Sequence, residues 1–145
     1  MNKYLNPLSR ALIAVIFLIS GIGKVINFQQ MVGYASSAGL PLPALAIAIA
    51  AVVELVAGVA LIAGWQVRWA SLALFVYLIP ATLVFHAAHL GDPAQRQMQM
   101  IEVLKNLAIM GGLLKFYVDA SASEVPITRE RPGDETPDFR ARRAS

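Results

Sequence analysis

The chain has 145 residues, 57% of them hydrophobic and 14% charged, with a mean hydropathy of +0.61 and a formal net charge of +3. Soluble domains carry about 25% charged residues, so this composition points to a membrane protein. The absence of cysteine excludes disulfides, thiolate chemistry, iron–sulfur clusters and cysteine-ligated metals. The basic residues flank apolar segments and form no basic face, so no nucleic-acid partner is expected.

The first apolar segment spans residues 8–26, with Arg10 near its start and Lys24 near its end. Lys3 and Arg10 would also suit the basic start of a signal peptide. The apolar stretch, however, is followed by Lys24 and an amphipathic segment, with no small-residue cleavage site close behind, so it reads as a membrane span. In residues 27–43, Asn27 is a candidate N-cap, Gly39 a candidate C-cap and Pro41 a stop. Phe28, Met31, Val32 and Ala35 follow helical spacing. A short helix along the membrane surface or over the bundle mouth is expected there.

Residues 44–63 form an unbroken apolar run of 20 residues around one carboxylate, Glu54. Such a run crosses a hydrocarbon core of ~30 Å at ~1.5 Å per residue. Even gentle scales charge a central acid ~2.5–3.5 kcal/mol. Glu54 must therefore face the bundle interior, where it needs a partner or a proton.

A tight turn follows, flanked by Trp65 and Trp69 as an interfacial belt. The third segment, residues 68–89, contains Tyr77 and an expected kink at Pro80. After a short polar loop, the fourth covers residues 98–118, interrupted by Glu102, Lys105, Asn106 and Lys115. Positions 102, 105 and 106 share one helical face opposite an apolar one, so this segment too reads as a span. Residues 119–145 carry prolines at 126, 132 and 137 among mixed charges and read as a disordered tail. The expected architecture is all-α. A four-transmembrane-helix bundle occupies residues 1–118, with a short interfacial helix between spans one and two.

Four spans put both termini on one side, together with Arg68, Lys115 and the arginines of the tail. The positive-inside rule makes that side cytoplasmic. On the opposite, outer half of the bundle the polar groups converge: Lys24, His86, Glu102, Lys105 and Asn106, with Glu54 about one turn deeper than Lys105. Gly21, Gly58, Gly111 and Gly112 allow close helix approach or leave room for a ligand. A structural alternative is a buried Glu54–Lys105 ion pair that only fixes register, with Lys24 snorkelling outward from its helix end. His86 and His89 are spaced to share a face. With Glu102 they make only a thin ligand set, and no metal is assigned.

The ordered set of Arg10, Phe17–Lys24, Glu54–Gly64, Phe85–His86, Lys105–Leu107 and Gly111–Leu113 resembles the DoxX family. The resemblance covers roughly residues 5–118, and the charged tail departs from the compact family pattern. It implies a bacterial inner-membrane protein, similar to the small DoxX-like group labelled as quinol oxidase subunits. It places Lys24, Glu54, His86, Lys105 and Asn106 on recurrent polar positions. Within that frame Glu54, Lys105 and His86 are the candidate catalytic residues. Lys24, His86, Lys105 and Asn106 are the candidates for binding a quinone.

His86, Lys105 and Asn106 can donate to quinone oxygens, and Glu54 can carry a proton. No haem, flavin or metal is expected, so electrons would come from a redox partner subunit. A homo-oligomer is compatible with the sequence. A small proton-coupled transporter and a non-catalytic assembly protein remain the alternatives.

Overall fold

The computed structural model describes residues 2–87 and 90–124. Among the described residues there are five helices and no strand: α1 (Asn2–Ile26), α2 (Phe28–Ser37), α3 (Pro43–Ala63), α4 (Val67–Phe85) and α5 (Arg96–Glu124). The principal interfaces are α1 with α3, α3 with α4, and α4 with α5, while α5 also touches α1.

Two glycines end helices in the same way. Gly39 and Gly64 adopt φ of 78° and 71°. The amides that follow α2 return to it, Leu40 to the Ala35 carbonyl and Gly39 to that of Ser36. Likewise Trp65 donates to Ala60 and Gly64 to Leu61 at the end of α3. These are Schellman closures, which satisfy the last carbonyls and turn the chain sharply. At the other end of α3, Pro43 occupies the first turn, where its missing N–H costs nothing. Asn27 precedes α2 as expected, but its side chain makes no cap. It donates instead to the Gly23 carbonyl at 3.2 Å.

Ala14, Phe17, Leu61, Leu74, Leu78 and Leu113 close the core between α1, α3, α4 and α5. The outward faces are equally apolar. Ile19, Val52, Val56 and Val59 are more than half exposed, as lipid-facing residues would be. Among the described residues three helices, over Tyr4–Ile26, Pro43–Ala63 and Val67–Phe85, are long and apolar enough to cross a membrane. α5 has 29 residues, ample length, but its charged residues keep it from qualifying on composition.

Some boundaries differ from the sequence expectation. α4 continues through Pro80 but stops at Phe85, so His86 stands just outside the helix. α5 runs six residues past the expected end of the membrane domain, to Glu124. A Lys115–Asp119 ion pair one turn apart supports the extension, as do Ser121 and Ser123 hydroxyls bonded back to carbonyls four residues earlier. The next helix-breaking proline is Pro126. The rest of the expected tail, and His89, lie outside the described residues.

Candidate functional site

Glu54 is buried, with 3% relative exposure, at the α1–α3 contact. Two glycines create that contact. A Cβ on Gly21 would lie 2.8 Å from Leu55 Cγ and 3.2 Å from Glu54 Cβ, and one on Gly58 would lie 2.9 Å from Leu18 Cδ2. The α1 backbone at Gly21 is therefore level with Glu54. Lys24 begins one turn further along. Helical side chains lean back towards the helix N-terminus, so Lys24 folds over Ser20 towards Glu54. Its Nζ donates to Ser20 Oγ at 2.7 Å and to Glu54 Oε1 and Oε2 at 3.0 and 2.9 Å.

Ser20 Oγ donates to Glu54 Oε1 at 3.1 Å, and Tyr77 OH on α4 donates to the same oxygen at 2.7 Å. The carboxylate thus joins three helices and accepts from three side chains.

The structural alternative weighed from the sequence is not the arrangement found. Glu54 pairs with Lys24 and not with Lys105. Lys24 turns inward and does not snorkel. Lys105 takes a partner on its own helix, Glu102, one turn away. The i, i+3 spacing makes that pairing available without any tertiary contact.

A second polar group forms on α5 and the end of α4. Asn106 Nδ2 donates to Thr82 Oγ1 at 2.9 Å, and both residues are buried. His86 Nδ1 lies 2.9 Å from Gln99 Oε1, and His86 Nε2 is 4.0 Å from Glu102 Oε2. Among the described residues no three His, Asp or Glu side chains gather as a metal site.

Between the two groups lies a cavity of about 270 Å³. Lys24, Glu54, His86, Lys105 and Asn106, the five residues singled out in the sequence, all line it. So do Tyr77, Ser20 and Glu102, and apolar walls come from Ile16, Phe17, Leu78 and Ile109. α2 lies over this end, contributing Met31 and Tyr34. The Tyr34 ring stacks on Phe85 with centroids 5.3 Å apart and an interplanar angle of 22°.

Tyr77, Ser20, Thr82, Gln99 and Tyr34 were missed by sequence reasoning. Two signals were present: a phenol inside a span needs a partner, and Ser20 shares a helical face with Lys24.

The family described as DoxX matches residues 7–87, more than half of the chain. The chain belongs to the DoxX family. It is similar to the inner membrane protein YphA of Escherichia coli (strain K12), 30% identical over 109 residues, covering 74% of this chain and 76% of that protein. No solved structure matches. The DoxX match takes in α1 to α4, and with them Lys24, Glu54, Tyr77 and His86. Lys105 and Asn106 lie beyond it on α5, so the second wall of the cavity comes from outside the matched segment.

Donor capacity is unequal across the cavity. The Lys24 ammonium has three protons and three acceptors, and the Tyr77 hydroxyl is committed to Glu54. Among the described residues Lys105 has one acceptor, Glu102, for its three protons, and Asn106 uses one of its two amide protons on Thr82. The α5 side can offer hydrogen bonds to a ligand, whereas the Glu54 side is a closed network.

Proposed function

We propose that this DoxX protein is a four-span inner-membrane protein with both termini cytoplasmic. Its cavity binds the headgroup of a quinone or quinol, as the membrane subunit of a redox system. Support for the fourth span comes from the packing of α5. Leu113 is fully buried in the core, Gly112 lies against Ile13 of α1, and Asn106 bonds across to α4. A helix lying on the surface would not share its core with two spans.

The observation that carries the ligand class is the mixed character of the cavity. Apolar walls lead to unsaturated donors on Lys105 and Asn106, with His86 beside them. A flat ring with two carbonyl oxygens and an apolar tail suits such a site. Converting quinone to quinol takes up two electrons and two protons. Lys105 and Asn106 orient the oxygens. The Glu54–Tyr77–Ser20–Lys24 network exchanges protons at low dielectric. The electrons pass to or from a partner subunit that carries a redox centre.

The test is mass spectrometry of organic extracts from protein purified in mild detergent, wild type against Lys105→Met. Lys105 is partly exposed, so this variant should keep the fold. Stoichiometric quinone in wild type, lost in the variant, supports the reading. No enrichment in wild type overturns it. The full satisfaction of Lys24 favours one second reading, in which the Glu54 network only holds three helices together. Under that reading the network can be replaced without loss of bound quinone.

A further inference from the structure

At the end of the bundle opposite the cavity, Arg10 rests against the αL turn that closes α3. A Cβ on Gly64 would lie 2.8 Å from Arg10 Nη1 and 3.0 Å from Nη2. The guanidinium therefore occupies space that only glycine leaves open. Its Nε is sheltered from solvent and has no hydrogen-bond partner among the described residues. A sheltered donor on a permanent cation is costly unless an acceptor completes it.

Arg10 also lines a recess of about 170 Å³ with Asn6, Val67, Phe116, Asp119 and Ser123. No ion pair joins Arg10 to Asp119. Lys115 holds Asp119 through Oδ1.

We propose that this recess binds the headgroup of a zwitterionic phospholipid, with the phosphate on Arg10 and a primary amine on Asp119. Three observations converge on this ligand. The guanidinium fork suits phosphate oxygens. The recess is level with Gly64 and the neighbouring Trp65 and Trp69, residues of the kind that sit at headgroup depth. A headgroup with phosphate but no amine would bring its charge near Asp119 Oδ2, the carboxylate oxygen outside the Lys115 pair, whereas an ammonium can donate to it. Asn6 and Ser123 add neutral polar groups, and Val67 and Phe116 face the start of the acyl chains. The site depends on membrane embedding and is independent of the quinone reading.

The test is lipid retention by native mass spectrometry of the full chain, with phosphatidylethanolamine, phosphatidylglycerol and phosphatidylcholine supplied in equal amounts. Phosphatidylethanolamine should be retained on the order of tenfold over phosphatidylglycerol, as expected for one charge-assisted contact. Arg10→Gln should lower retention of all three lipids. Asp119→Asn, at a side chain that is 58% exposed, should leave the fold intact and remove the preference for the ethanolamine lipid. Equal retention of the three lipids by wild type overturns the proposal, as does an unchanged preference in Asp119→Asn. Displacement of the lipid by inorganic phosphate would identify a free-anion site and also overturn it.

Discussion

Lys24 Nζ lies within 3.0 Å of both carboxylate oxygens of Glu54, across the α1–α3 interface, with side-chain exposures of 16% and 4%. Both charges are sheltered, so each depends on the other for its solvation. Removing one partner is worse than removing both. Glu54→Gln strands the ammonium and should cost about 3 kcal/mol of stability. Joining it to Lys24→Met should recover most of that loss, because no charge is then left unpaired. Chemical unfolding in detergent measures the cycle. Additive losses in the double variant would show that the two groups do not act as a pair.

Tyr77 is the donor that ties α4 to this pair, through a hydroxyl 2.7 Å from Glu54 Oε1. Tyr77→Phe keeps the ring and deletes only that bond. A hydrogen bond to a charged acceptor contributes about 2 kcal/mol. The variant should therefore lose about that much stability in the same unfolding assay. Placed on top of the Glu54→Gln, Lys24→Met pair, Tyr77→Phe should cost far less, since its acceptor is no longer a carboxylate. An equal loss in both backgrounds would mean that the phenol acts through packing alone.

The sequence made much of this legible. Apolar run lengths located α1, α3 and α4, and the glycine–proline punctuation located α2. The rule that a carboxylate cannot stand alone in a span placed Glu54 inside. The partner was not legible. Counting residues from the helix ends put Lys24 too far outward, because that arithmetic follows backbone rise alone. The backward lean of a long side chain, together with the Gly21 contact, brings Lys24 back to Glu54's level. Helical rise placed Lys105 about one turn above Glu54, near enough to pair, but Glu102 stood one turn away on the same helix and captured it. Tyr77 went unassigned because one tyrosine in a span carries no periodic signal. Only the neighbouring helices show what its hydroxyl meets.

Glycine positions give a paired test of the α1–α3 contact. At Gly21 an added methyl would meet Leu55 Cγ at 2.8 Å, whereas at Gly23 nothing lies within 4 Å. Gly21→Ala should force α1 and α3 apart and cost about 1–3 kcal/mol. Gly23→Ala faces open space on the same helix and should be neutral or gain up to about 1 kcal/mol from helix propensity. Thermal melts of the two variants side by side check this. The same substitution made two residues apart on one helix controls for backbone effects. If the two variants melt together, the close approach at Gly21 does not limit stability.

The membrane crossing of α5 decides on which side the chain ends, and the absence of cysteine makes it simple to measure. Single cysteines at Tyr4, Gly91 and Ser123 occupy exposed positions at the start of α1, in the α4–α5 connection and near the end of α5. α1, α3 and α4 are each long and apolar enough to cross. If α5 crosses as well, Tyr4→Cys and Ser123→Cys react with a membrane-impermeant maleimide from the same side, and Gly91→Cys from the other. The buried Asn106–Thr82 bond and the burial of Leu113 pack α5 along α4, which supports the crossing proposed above. An amphipathic helix resting on the surface would instead keep those polar groups in the headgroup layer. The expected result in intact spheroplasts is labelling at Gly91→Cys alone. Labelling of Ser123→Cys together with Gly91→Cys would place α5 on the outer surface, and the second wall of the cavity would then be an interfacial one.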